Sequence, residues 1–293
     1  MDPRLTPHRT DLAADWLQGQ VEAERYVAGT QMQVIAPVAD VRRDPRQDAA
    51  LDTQAVCGDM VTIYEETSVG WAWGQLESDG YVGYVPLSAL SKNLSQPTHR
   101  VNVPTTLTYT AADIKQQPVE HLPLGAGVTV VEQAGEFCRL SSGRYVWALH
   151  LSAIASFAED FVAVCEQLIG MPYLWGGKSA WGLDCSGLIC TGLRMAGIEC
   201  PRDSDMLETG FGTPLGAFGD QALQRGDLVF WKGHVGVMQD QATLLHSNGY
   251  HMQVASEPLV GAVDRIAHLY ARPTTCRRPP GLSAAVELQA QAG

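Results

Sequence analysis

The chain of 293 residues contains no run of about 18 apolar residues, so no transmembrane helix is expected. Basic residues are in deficit: 20 Lys and Arg stand against 32 Asp and Glu, a formal charge of −12. A polyanion binder needs clustered cations, and a membrane-surface helix needs a basic face. Neither nucleic acid nor membrane is therefore an expected partner. CxxC, HExxH, GxxxxGK[ST] and dinucleotide fingerprints are all missing, which removes the usual support for metal, nucleotide or redox chemistry. No metal and no cofactor is expected. Met1 to Gln20 carries Asp2, Arg4, His8, Arg9, Asp11 and Asp15 and lacks the apolar core of a secretory leader. Seven cysteines, an odd number without a framework, fit a reducing compartment, and the expected location is the cytoplasm.

What is present is a chain able to bury a core, with 45% hydrophobic and 18% charged residues. Residues 1–25 read as a polar, partly helical lead-in. From 26 to 94 short apolar runs alternate with turn signals: Val34–Val38, Val41, Val61–Tyr64, Trp71–Leu76 and Tyr81–Val85. Asp79-Gly80 between two runs marks a hairpin, and many short strands at close spacing predict a small barrel. Residues 95–154 repeat this text. Gly58, Val61, Thr62, Ile63 and Glu65 recur 67 residues later as Gly125, Val128, Thr129, Val130 and Glu132. Leu87 to Leu90 recurs 64 residues later as Leu151 to Ile154, which implies a three-residue deletion in the second copy. The expectation is a duplicated small barrel joined near Ser95–Thr98.

Residues 155–275 differ in character. Phe157, Phe161, Val164, Cys165, Leu168 and Ile169 have helical spacing. A second helix is predicted from Cys185, Leu188, Ile189, Leu193 and Ala196, ended by Gly197. Leu228–Trp231, His234–Met238 and Thr243–Ser247 read as strands. Helices followed by an antiparallel sheet predict an α+β domain. Residues 276–293 read as a mobile tail.

The chemistry concentrates around Cys185, which follows a glycine-rich loop and opens a helix. A helix start carries partial positive charge and free N–H groups, which favour a thiolate and can hold an oxyanion. His234 and His246 flank Asp240 at equal distance. A loop centred on Asp240 pairs residues summing to 480 and sets His234 directly opposite His246. One imidazole would then take the thiol's proton while the other orients it. The other six cysteines, Cys57, Cys138, Cys165, Cys190, Cys200 and Cys276, read as packing residues.

At these positions the sequence resembles the NlpC family of bacterial cell-wall cysteine peptidases. The matching text is YLWGG from Tyr173 to Gly177, DCSG from Asp184 to Gly187, GDLVFW from Gly226 to Trp231, GHVG from Gly233 to Gly236, and Leu245-His246. The resemblance implies a papain-like peptidase domain preceded by two small SH3-like β-barrels, the second motif set resting on DGYVGY from Asp79 to Tyr84. It further implies a γ-D-glutamyl-L-diamino acid endopeptidase acting on murein peptides with a free N-terminal L-Ala. Carried over residue by residue, Cys185 is the nucleophile, His234 the base and His246 the orienting group. Tyr173, Asp184, Ser186 and Ser204 match positions lining the substrate pocket, and Tyr81 matches a tyrosine that holds the substrate ammonium. The family's acid falls at Ala50 in this chain. Asp52, two residues on and so expected on the same strand face, is the substitute. Two other readings stay open: a thiol amide or ester hydrolase or acyltransferase on the same scaffold, and a catalytically silent wall-binding protein. No protein partner can be named from the sequence.

Overall fold

The apolar runs separate into two units of the computed structural model, which describes residues 1–281. The first comprises residues 1–156 and 175–180, the second residues 157–174 and 181 onward.

In the first unit, strands β1 (Thr30–Val34), β2 (Val38–Arg42), β3 (Leu51–Val56), β4 (Met60–Glu66), β5 (Trp71–Leu76), β6 (Val82–Pro86) and β7 (Leu90–Ser91) form one sheet. Its order is β3-β2-β6-β5-β4-β1-β7. The Val34–Val38 run is split by a turn, because Pro37 has no N–H to give a ladder. Asp79-Gly80 does turn the chain between β5 and β6, with Gly80 at φ 74°. Alternate residues Val61, Ile63, Ala72, Val85 and their neighbours fill the core.

The lead-in departs from its expected polar, helical character. Its only helical turn is a 3₁₀ turn at Asp15–Leu17. Leu12, Ala13, Ala14 and Leu17 have no exposed surface and pack with Tyr64, Trp73 and Val82 as a second apolar cluster. Charged residues that make the text look solvated, Arg9 and Asp11 among them, are themselves paired. Arg9 donates to Asp11 at 2.8 Å, Glu65 at 2.6 Å and the Tyr84 hydroxyl at 2.7 Å, with its guanidinium 4.4 Å from the Trp73 ring.

Residues 99–153 supply β8 (His99–Val101), β9 (Thr105–Tyr109), β10 (Pro118–Pro123), β11 (Gly127–Val128), β12 (Val130–Ala134), β13 (Phe137–Leu140), β14 (Tyr145–Trp147) and β15 (Leu151–Ala153). They form sheets ordered β11-β8-β15 and β10-β9-β14-β13-β12 around a separate core of Val101, Leu122, Leu140 and Val146. Backbone bonds align this stretch with the preceding one. Gly58 N–H donates to Val34 O and Gly125 N–H to Val101 O, both at 2.9 Å and 67 residues apart. Ile35 N–H donates to Ala89 O, whereas Asn102 N–H donates to His150 O. The later offset is therefore 150 − 89 = 61, not the 64 expected from the LSA text. Leu87–Ala89 forms a 3₁₀ turn matching Ala148–His150, while the look-alike Leu151–Ala153 is strand.

The Trp175–Ala180 segment completes this unit. Lys178 Nζ meets Asp79 Oδ2 at 2.5 Å with both side chains 7% exposed. Gln54 Oε1 accepts from Lys178 N–H at 3.1 Å and Ser179 Oγ at 3.0 Å. Gly176, at φ 76°, lies so close to Leu51 that a Cβ would fall 2.4 Å from its carbonyl oxygen.

The second unit holds α1 (Phe161–Glu166), α2 (Cys185–Met195), α3 (Ser204–Gly210), β16 (Thr213–Pro214), β17 (Leu228–Trp231), β18 (His234–Met238), β19 (Thr243–Asn248), β20 (Gln253–Pro258), α4 (Leu259–Leu269) and β21 (Thr275–Arg278). The first helix is shorter than the 157–169 spacing suggests. It starts where Asp160 Oδ1 accepts from Val162 N–H at 2.9 Å. The sheet order is β16-β21-β17-β18-β19-β20, all neighbours antiparallel along the β17–β20 meander. Val229, Trp231, Met238 and Leu244 pack with Leu259, Ala262, Val263 and Ile266 of α4. Leu228, Phe230, Val235, Val237 and Leu245 alternate with them and are fully buried; α2 packs against β18 and β19. Residues 276–278 are not tail: β21 pairs with β17, and Cys276 is 1% exposed in the core. The remainder of the expected tail, 282–293, lies outside the described residues.

Candidate active site

The N-terminus of α2 is built by a buried arginine. Asp184 is the N-cap, its Oδ1 accepting from Gly187 N–H at 2.6 Å. Arg202, with no exposed surface, donates to Asp184 Oδ2 at 2.7 Å, to Asp184 Oδ1 at 3.0 Å and to Ser186 Oγ at 2.9 Å. Burial works against the Arg202 charge, and the Asp184 carboxylate more than offsets it, holding the guanidinium protonated. Asp184 and Ser186, expected to line a substrate pocket, also fix the helix start through these bonds. Arg202 was not among the expected site residues, because nothing local in RDSD from Arg202 to Asp205 marks it as a partner of residue 184.

Cys185 follows the cap and is buried. Burial pushes its thiol up to about 12, helped by the Asp184 charge, while backbone hydrogen bonding from Val235 and Ser186 pulls the other way. The helix that Cys185 opens packs on β18, the strand that His234 opens. Tyr173 shares this neighbourhood: burial, then the charges of Cys185 and Asp184, push its phenol up to about 12. Ser204 opens α3 and is half-buried.

The two histidines do meet, by a different register from the one expected. Val237 pairs Leu245 and Met238 pairs Leu244, so partners sum to 482 and the turn centres on Gln241. Asp240 causes the shift. Its Oδ1 accepts from both Ala242 N–H and Thr243 N–H at 2.8 Å, closing a three-residue loop. Because the sum moves by two, side-chain parity survives, and His234 lies diagonal to His246 on one face. His234 Nε2 and His246 Nδ1 are 2.9 Å apart. Gly236 leaves room for this crossing: a Cβ there would lie 2.8 Å from Leu244 Cδ1 and 3.2 Å from His246 Cβ.

The diagonal continues onto a residue that sequence reasoning missed. Glu257 pairs with Leu244 on β20, one two-residue step from His246, and its Oε1 lies 2.7 Å from His246 Nε2. Arg265 of α4 binds the same carboxylate oxygen, and its guanidinium stands 4.2 Å from the Tyr250 ring centre. The available signal was its place in the strand: Glu257 falls two residues after the buried Ala255, on the same face. Burial opposes its ionisation, but the bond to His246 and the Arg265 charge hold its carboxyl below the usual range. Burial lowers both imidazoles, with Glu257 opposing in each case. His246, His251 and Glu257 offer ligand atoms within 4.8 Å of one another. The Arg265 charge on that carboxylate and the direct His246–Glu257 bond favour hydrogen bonding there over a cation.

Asp52 and Tyr81 are in the first unit, where both line a cavity of about 540 Å³ with Arg4, Arg43, Trp73 and Tyr84. The parity argument that led to Asp52 does not hold. Arg42 pairs Leu51 and Val41 pairs Thr53, so Asp52 is the extra residue of a β-bulge, and Ala50 precedes the strand. Arg43 donates to Asp52 Oδ1 at 2.7 Å from a side chain that is 70% exposed.

Residues 170–270 match the sequence model of the NlpC/P60 family, and residues 41–90 match that of the bacterial dipeptidyl-peptidase Sh3 domain. A γ-D-glutamyl-L-lysine dipeptidyl-peptidase of Bacillus cereus is 28% identical over 244 residues, covering 71% of this chain and 71% of the relative. The enzyme of the same name from Bacillus subtilis is 26% identical over 226 residues, covering 68% and 73%. A solved NlpC/P60 family protein from Bacillus cereus superposes with a TM-score of 0.70 at 20% identity, over 85% of this chain and 99% of the other. That likeness shows the fold.

Proposed function

We propose that this chain, a cysteine-type peptidase that belongs to the NlpC/P60 family through residues 170–270, hydrolyses the bond between γ-D-Glu and an L-diamino acid in murein peptides. The observation that carries the reading is Cys185 at a fixed helix start in α2, which packs on β18, the strand whose His234 meets His246 at 2.9 Å. The names of the two Bacillus relatives support the bond, with lysine as the diamino acid in theirs.

Cys185 is the nucleophile. Its thiol and the His234 imidazole are both held neutral by burial, so no preformed ion pair is required. His234 takes the proton as sulfur attacks the γ-carbonyl. His234 Nε2 is already engaged by His246, which leaves Nδ1 for this step. Charge developing on the carbonyl oxygen is met by the Cys185 backbone N–H and the positive end of α2. His234 then returns the proton to the leaving amine, and water attacks the thioester with His234 again as base. Tyr173, next to Cys185 and Asp184, and Ser204 contribute to the wall of the pocket. In the first unit, Asp52 and Tyr81 are the groups suited to a free ammonium such as that of L-Ala, the carboxylate giving a charge-assisted bond that an acylated N-terminus cannot form. The ammonium exchanges with the exposed Arg43 guanidinium, a pair worth about 0–1 kcal/mol.

The front half is read as two SH3-like barrels, supported by the shared bonding pattern at offsets 67 and 61. The role is turnover of released peptides in the cytoplasm, supported by seven free thiols. Incubating the protein with L-Ala-γ-D-Glu-L-Lys and its diaminopimelate counterpart, each free and N-acetylated, tests the reading. Release of L-Ala-γ-D-Glu from the free peptides only is expected, and Cys185→Ala should abolish it. An ester cleaved rapidly while both free peptides stay intact would assign the scaffold to another thiol hydrolase.

A further inference from the structure

The carboxylate at the far end of the histidine pair is assigned no part in the reaction described above. We propose that Glu257 is a positioning residue that sets, through His246, which nitrogen of His234 is free to receive the thiol's proton. The inference rests on the peptidase reading for its kinetics, and on geometry alone for its tautomers.

The hydrogens available along the relay fix its tautomers. Glu257 Oε1 faces His246 Nε2 at 2.7 Å, and His246 Nδ1 faces His234 Nε2 at 2.9 Å. An ionised carboxylate can only accept. His246 Nε2 must therefore carry hydrogen. A neutral imidazole has one N–H, so His246 Nδ1 is an acceptor, and His234 Nε2 must be the donor to it. His234 Nδ1 is then bare, which is the form a base requires. Reverse the polarity at Glu257 and each tautomer reverses, leaving His234 with a hydrogen at Nδ1 and nothing to accept with.

Two conditions hold the polarity. The Arg265 guanidinium binds Glu257 and keeps it ionised. Burial keeps both imidazoles neutral. The charged and titratable groups that act on this relay are His234 from β18, Glu257 from β20, His251 from the β19–β20 turn and Arg265 from α4; α2, which carries Cys185, packs on the same strands. The three relay residues lie on successive strands at successive two-residue steps, so the sheet itself keeps them in line.

Long-range ¹H–¹⁵N spectra of the ¹⁵N-histidine-labelled full chain at pH 7.5 read the tautomers directly, without substrate. Hydrogen on Nε2 of both His234 and His246 is expected. Glu257→Gln keeps an acceptor oxygen and should retain this pattern, with kcat within about 10-fold of wild type. Glu257→Leu removes it and should lower kcat by about 10²–10³-fold at a KM within about 2-fold, with the His234 pattern mixed. It should also slow alkylation of Cys185 by iodoacetamide, read by peptide mass spectrometry. A wild-type spectrum with hydrogen on His234 Nδ1 would overturn the proposal, as would wild-type tautomers and kcat in Glu257→Leu. Should Glu257→Leu not fold, the wild-type spectrum and Glu257→Gln still decide. Expected tautomers with no cleavage of either murein peptide would count against the substrate reading and leave the relay standing.

Discussion

Arg202 grips Asp184 through two bonds, at 2.7 and 3.0 Å, from a side chain with no exposed surface. That grip holds the cap of the helix that begins at Cys185. Arg202→Met would leave a nearly buried carboxylate without its guanidinium, a loss on the order of 3–5 kcal/mol. A fall in Tm of roughly 10 °C is expected by calorimetry. The double variant Arg202→Met, Asp184→Asn should recover part of it, since Asn still caps and carries no charge. An unchanged Tm in the single variant would refute the assignment.

Gly236 tests the crossing of the imidazoles. In Gly236→Ala the new methyl meets Leu244 Cδ1, which can move, and His246 Cβ, which is fixed by the strand. The fold should persist with Tm lowered by a few degrees. A displacement of the His246 ring by even a fraction of an ångström should cost kcat on the order of 10-fold or more. Steady-state kinetics and a melting curve on the same sample separate the two effects; unchanged kcat would show that the crossing tolerates a methyl.

Acid should destabilise this protein earlier than its carboxylates alone require. Burial lowers the His234 and His246 pKa in the folded state, so the unfolded chain binds more protons below its own imidazole value of about 6.5. Their contribution is complete above that value and is lost as pH falls from there toward the lowered folded values. Glu257, also lowered, adds a second loss as pH falls from about 4.3 through its folded value. Urea midpoints should be flat from pH 8 to 7 and fall from 6.5 to 5. His246→Asn should flatten that fall; an equal fall in both proteins would place the protons elsewhere.

The parts of the site that were legible in the sequence are those fixed by neighbours along the chain. Cys185 opens α2 and Gly197 ends it because a cap and a C′ glycine act within one turn; Ile198 N–H returns to Leu193 O at 2.9 Å. His234 and His246 were legible as partners because parity along strands survives a two-residue error. Their diagonal relation was not, since it depends on which backbone N–H groups the Asp240 carboxylate caps. Glu257 depends on a second hairpin whose turn, at 249–252, includes Met252 at φ 53°, a conformation no sequence pattern announces. Asp52 was chosen by strand parity and sits in a bulge, where parity fails. Helix α4 was overlooked although Leu259, Ala262, Val263 and Ile266 repeat with helical period, because they follow directly on a strand.

The ion pair of Lys178 and Asp79 spans 99 residues of chain. Synthesis at about 5–20 residues per second separates the two partners by roughly 5–20 s. For that interval the β1–β7 sheet emerges with Asp79 and Gln54 Oε1 awaiting groups that have not been made. The amino-terminal half therefore reaches its final state only after Lys178 and Ser179 have been translated. Nascent chains arrested before residue 178 should accordingly be more open to protease than chains arrested beyond it.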